Sequence, residues 1–118
     1  MNKFIYLAIP YTWNHDKSFE IANIMSAILM ESGYTVFSPI SHSHPISKHL
    51  TNFGDSNADF WLAQDLCILE KCNELHVVII NESFGQELID NSYRCQKEIE
   101  RAKELGIPIK YQEYICKL

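Results

Sequence analysis

Phe4-Ile5-Tyr6-Leu7-Ala8-Ile9 is a near-continuous apolar run that stops at Pro10. Apolar residues without alternation read as a strand covered on both faces, the setting of an inner strand in a parallel sheet. This is the most apolar of the predicted strands, so it is expected at the sheet's centre. Downstream, Asp16 to Ser32 shows helical spacing, with Phe19, Ile21, Ala22, Ile24, Met25, Ile28 and Leu29 forming a broad apolar stripe. Asp16 is placed to cap that helix and Gly33 to end it. Tyr34-Thr35-Val36-Phe37 reads as a second strand, stopped by Ser38-Pro39.

From Ser41 to Asn57 the chain is polar, rich in His, Ser and Asn, and lacks a clear period. It reads as a long connection, and such loops are usually functional or mobile. A helix is predicted from Asn57 or Ala58 to about Lys71, with Phe60, Trp61, Leu66, Leu69 and Cys72 among its apolar positions. The strand Leu75 to Ile80 follows, then a polar segment from Asn81 to Asn91. A further helix begins after Ser92 and is closed by Gly106, and Ile107 to Tyr111 forms the last strand. Strands alternating with helices predict an α/β fold with a parallel sheet and right-handed crossovers. In such a sheet ligands bind beyond the carboxyl ends of the strands. Pro10-Tyr11-Thr12 and the start of the last helix fall on that edge. Neither GxGxxG nor GxxxxGK[ST] occurs, so dinucleotide binding of the Rossmann type and P-loop chemistry are poor readings.

The 118 residues make one domain, 1–118, with 47% hydrophobic residues, enough for a core without disulfides or a metal. A net charge of -5 and the absence of a basic run argue against binding a nucleic-acid backbone. A small anion is still admissible, because a helix N-terminus can hold it. Cys67, Cys72, Cys95 and Cys116 form no CxxC pair, and no leader is expected before the first strand. They read as reduced thiols of a cytoplasmic protein. Zinc-ligand spacings are missing, no metal or cofactor is expected, and no run reaches the length of a membrane span.

Glu98 leads the candidates for chemistry. It is either a solvated helix glutamate or a carboxylate fixed at the ligand edge. Ser92, six residues earlier, offers a hydroxyl beside free backbone N–H groups that can hold a phosphate. Ala102 lies one turn on and keeps the same helix face small. A carboxylate beneath a sugar can attack its anomeric carbon and form a covalent glycosyl-enzyme. Tyr6 is either a core aromatic or a phenol that orients Glu98, and Tyr11 lies just past the same strand. Asp65 interrupts the apolar pattern around Trp61. It sits at the helix's exposed edge or aims into the cleft, where two carboxylates can divide nucleophile and general-acid roles. His42 and His44 line a polar loop, where contact with a base or phosphate is a better reading than a metal.

Read together, these stretches resemble a known superfamily. Tyr6-Leu7-Ala8-Ile9-Pro10-Tyr11-Thr12 is similar to the YLAxPYS opening of a phage and bacterial family of small uncharacterised domains, the DUF1937-like domains. Val36 to Pro45, Trp61 to Asn73 with Asp65 inside, and Ser92 to Ala102 resemble its later motifs, the last being S-x-G-x-x-x-E-x-x-x-A. These domains are similar to nucleoside 2-deoxyribosyltransferases and 2′-deoxynucleoside 5′-monophosphate N-glycosidases. The resemblance implies a flavodoxin-like three-layer sandwich with a parallel sheet of four or five strands in the order 2-1-3-4. It implies Glu98 as nucleophile at C1′, Tyr6 as its contact and Asp65 as a member of the catalytic pocket. Ser92 would bind a 5′-phosphate; beyond the resemblance, Arg94, Tyr11, Thr12, His42, His44 and Trp61 are read as further candidate substrate contacts. The expected reaction is hydrolysis or base exchange on a nucleoside or nucleotide, in a homodimer or higher homo-oligomer. The alternative is a non-catalytic module that binds or sequesters a nucleotide. The chain departs from the motif at Arg94, where the family has glycine. It also carries a second S-x-G, Ser83-Phe84-Gly85, with Glu87 nearby.

Overall fold

Tyr6 stands opposite Phe37 on one side and Leu75 on the other, which makes the first strand an inner one. The structure, a computed structural model, describes residues 2–51, 58–81 and 83–115. Its elements are β1 (Phe4–Ala8), α1 (His15–Glu31), β2 (Thr35–Phe37), α2 (Pro39–Ser47), α3 (Ala58–Leu69), β3 (Glu74–Ile80), α4 (Ser83–Asp90), α5 (Tyr93–Leu105) and β4 (Ile109–Tyr114). The four described strands pair in parallel in the order β2-β1-β3-β4. This is the predicted order, in a three-layer α/β arrangement.

Strand alternation divides the core in two. Ile5 and Leu7 of β1 with Val78 and Ile80 of β3 meet Ile21, Ala22, Met25 and Leu29 of α1 and Ile40 of α2. Tyr6 and Ala8 with Leu75 and Val77 meet Leu69 of α3 and Cys95, Ile99 and Ala102 of α5. Covering both faces satisfies a β1 that has no polar face, and its residues from Ile5 to Ala8 are essentially inaccessible to solvent.

The structure corrects two segments and one cap. Pro39–Ser47 is a helix, not part of an irregular connection. Ser38 caps it through its side chain and Pro39 opens it, a helix-start pattern that also reads as a strand stop. Pro45 inside the helix and its short length hide the period. Ser83–Asp90 is also a helix within the segment read as polar. Gly85 lets it lie on the end of β3: a Cβ there would stand 2.3 Å from the backbone N and O of Ile80. The cap of α1 is Asn14, whose side chain accepts from the Lys17 N–H, and Asp16 lies in the first turn. The predicted last strand begins two positions later, at Ile109.

Candidate active site at the carboxyl edge of the sheet

The α5 helix puts charge on its inner face. Arg94, Cys95, Glu98, Ile99 and Ala102 are its buried residues, the spacing of one helix face. The lower half of that stripe is apolar and rests on β3. The upper half is charged and faces the carboxyl ends of β1 and β2. Ser92 caps the helix by accepting from the Cys95 N–H at 3.2 Å, and Gly106, at φ 71°, ends it.

Glu98 is 3% exposed and Tyr6 is fully buried beneath it. The Tyr6 hydroxyl donates to Glu98 Oε2. Burial raises the Glu98 carboxyl from 4.5 to about 7, while the Arg94 charge and the Tyr6 hydrogen bond pull it down and Asp65 adds to the rise. Burial, then the charges of Glu98 and Asp65, push the Tyr6 phenol well above its ordinary value. Tyr6 therefore stays protonated and acts as a fixed donor.

Asp65 is buried rather than at an exposed helix edge. Arg94 Nη2 donates to its Oδ2 at 3.2 Å. Burial raises the Asp65 carboxyl, against the charge and hydrogen bond of Arg94 and the charge of His42. Tyr6, Asp65, Arg94 and Glu98 thus form one cluster drawn from β1, α3 and α5. Two carboxyl groups of raised pKa in one pocket are a recurrent mark of acid–base or nucleophilic chemistry.

Two spaces adjoin this cluster, and Arg94 lines both. The first is a crevice in front of Glu98, lined also by Leu7, Ala8, Ile9, Pro39 and Ile40, with no room for a water molecule. The second is a cavity of about 160 Å³ at the start of α5, lined by Tyr11, Thr12, Ala58, Asn91, Ser92, Tyr93 and Arg94. The unbonded N–H groups of a helix's first turn suit an anion there. Tyr93 donates to Asp59 at 3.0 Å and so ties the start of α5 to α3.

The other predicted contacts are spread more widely. The Arg94 guanidinium lies 5.8 Å from the centre of the Tyr11 ring. The Tyr11 hydroxyl pairs with His44 Nδ1 at 2.6 Å, and His44 Nε2 lies 3.4 Å from Asp16. His44 therefore acts on Tyr11 instead of lining either space. His42 stands beside Phe37 in a separate, largely apolar groove of about 440 Å³ between α1, β2 and α2. That groove is the larger space but its lining holds no carboxylate, so size does not identify the reactive centre. Trp61 is buried edge-on against Phe60 and lines none of these spaces. Glu87 is exposed on α4, away from the cluster's buried setting.

Sequence reading missed Pro39, Ile40 and Asn91 as lining residues. The Ser38-Pro39 pair was the available signal, since a helix starting there brings Pro39 and Ile40 over the end of β1. Among the described residues no group of three or more His, Cys, Asp or Glu could hold a metal ion. No described helix is long and apolar enough to cross a membrane. Cys67, Cys72 and Cys95 are unpaired thiols, and Cys116 lies outside the described residues.

Among solved structures, the 2-deoxyribosyltransferase of the psychrotolerant bacterium Bacillus psychrosaccharolyticus has a similar fold. The TM-score is 0.63 at 19% identity, over 98% of this chain and 75% of that one. No curated protein matches the chain. The motif-bearing segments, from the β1 turn to α5 and its Glu98, all fall within the 3–110 stretch matched by one family model, and the chain belongs to that family, the domain of unknown function DUF1937.

Proposed function

We propose that this domain cleaves the N-glycosidic bond of a nucleoside 5′-monophosphate, the deoxyribose form being preferred. The observation that carries the reading is the buried Tyr6–Glu98 pair beside Asp65 and Arg94. The similarity of fold to a 2-deoxyribosyltransferase supports it. The ionised Glu98 carboxylate attacks C1′ as the bond to the base breaks, with Tyr6 holding the carboxylate in line. The departing base takes the bonding pair and a proton from Asp65. Water then attacks C1′, returns a proton to Asp65 and frees Glu98. A second base in place of water gives transfer. The start of α5, with Ser92, takes the 5′-phosphate, and a phosphorylated substrate favours hydrolysis over exchange as our first expectation.

The test is incubation with a panel of nucleosides and their monophosphates, with free base followed by chromatography. Release is expected from at least one monophosphate and none from Glu98→Ala. Full release by that variant would remove Glu98 from the role. The closed crevice favours a second reading, a module that binds a nucleotide without turnover. Tight calorimetric binding with no product over long incubation would select it.

A further inference from the structure

The residue that departs from the family motif also lines the crevice before Glu98. Arg94 occupies the glycine position of the motif, lines both the crevice before Glu98 and the cavity at the start of α5, and is 8% exposed. Its guanidinium makes one hydrogen bond among the described residues, to Asp65, and presents five N–H donors in all. A guanidinium between two anion positions has a choice of partner. Asp65 holds it now; an anion in the cavity of about 160 Å³ would compete for it.

We propose that the Arg94–Asp65 ion pair is a latch released by the substrate's own phosphate. The phosphate draws Arg94 off Asp65, the crevice before Glu98 opens, and Asp65 takes up the proton it later gives to the departing base. This deepens the nucleotide reading and rests on it only for the last step. The charged and titratable groups that face Asp65 are Arg94 and Glu98 of α5, Tyr6 of β1 and His42 of α2. Removing Arg94 from this set takes away the principal opposition to burial, so a carboxylate stranded there is neutralised by a proton from solvent. Proton bookkeeping closes over a cycle. One proton enters with the anion, passes to the base, is replaced from the attacking water, and leaves when the phosphate does and Arg94 returns. A nucleoside without phosphate leaves the latch shut, which makes Arg94 a selector for phosphorylated substrates.

The probe is sulfate, whose charge is constant over the relevant range, titrated into the intact protein by calorimetry in two buffers of different ionisation enthalpy near neutral pH. Wild-type protein is expected to bind sulfate and take up close to one proton per ion. Asp65→Asn, with no anion to hold Arg94, is expected to bind about tenfold more tightly and to take up fewer protons per ion than wild type, since only Glu98, which Arg94 also holds down, is left to gain one. Arg94→Met, which keeps the stem without the charge, is expected to lose most of the binding. Sulfate binding without proton uptake, no gain in Asp65→Asn, or wild-type affinity in Arg94→Met each overturns the latch. If Asp65→Asn does not fold, proton uptake in the wild type and the Arg94→Met affinity still decide it. None of these readings needs turnover. Absence of base release from every nucleotide, with sulfate behaving as expected, would sink the reaction and leave the latch. Base release with sulfate behaving otherwise would sink the latch alone.

Discussion

The sheet carries a buried carboxylate at each end, and the two are held in opposite ways. At the amino edge Glu74 is 5% exposed. It accepts from Lys3 at 2.7 Å, and Lys110 and His76 stand at 3.3 and 2.9 Å, with Gln112 3.2 Å from His76 in turn. Hydrogen bonds from Lys3 and His76 lower its carboxyl to about 2. At the carboxyl edge Glu98 has a phenol, a second carboxyl and an arginine already engaged by that carboxyl, and sits at about 7. Both are shielded from solvent, but burial is the largest influence on Glu98, whereas hydrogen bonds outweigh it at Glu74. What differs is whether the partners satisfy the charge. Glu74 is a fastening. Glu98 keeps a raised carboxyl that its partners do not bring down, which marks it as a candidate for chemistry.

The comparison breaks most sharply at Glu98. Glu98→Gln is expected to lower base release by roughly four orders of magnitude, and an assay of nucleotide cleavage checks it. The same variant should flatten a stability slope. The folded carboxyl sits above its ordinary 4.5, near 7. The stabilising contribution is therefore complete below about pH 4.5 and lost as pH rises through about 7, on the order of 3 kcal/mol. Urea unfolding of wild type and variant across that range measures it, and parallel curves would contradict the assignment. Activity should rise with pH about a midpoint near 7, where Glu98 ionises.

Tyr6→Phe removes the donor that favours the ionised form of Glu98. A loss of roughly a hundredfold in rate is expected, with the pH midpoint moved upward. An unmoved midpoint would mean that the hydrogen bond does not tune the carboxylate.

At the other end the sign reverses. The Glu74 carboxyl is depressed from 4.5 to about 2, so its contribution is present above about pH 4.5 and lost as pH falls through about 2. Glu74→Gln should weaken the fold by about 1–3 kcal/mol at neutral pH and leave base release unchanged, since it lies at the opposite edge. Denaturant midpoints and the cleavage assay together decide this, and a lost activity would erase the division between the two ends. The smallest effect is expected from Ser92→Ala, about 1 kcal/mol of stability from the lost cap, with a raised KM for monophosphates and little change for nucleosides.

The legible parts of the fold were those written in long apolar runs. The β1 run is apolar without a break, and the stripe of α1 keeps a helical period even though Ser18 and Ser26 share its buried face. The strand order followed from one inner strand and from a family resemblance. The two short helices were illegible because each reads as something else: Ser38-Pro39 as a strand stop, Ser83-Phe84-Gly85 as a loop motif. Gly85 in particular is required by the close approach of the Ile80 backbone five residues earlier, which the residue pattern alone does not show. Within the site, the motif spacing marked Glu98 and Ser92. The Arg94–Asp65 pair spans 29 positions, and nothing local to either residue says that they meet. The relay of Tyr11 through His44 to Asp16 was hidden for the same reason.

Tyr6 and Glu98 lie 92 positions apart in a chain of 118. A contact closing so long a loop forms when the intervening crossovers are already in place. Until then Glu98 is an ordinary hydrated side chain with no phenol above β1 to orient it and no dry pocket to raise its pKa. The buried, phenol-held carboxylate is therefore made only when α5 docks over β1. A chain still emerging during synthesis, or one cut short before α5, lacks Arg94 as well as Glu98, and with them both the buried carboxylate and the guanidinium that lines the two spaces.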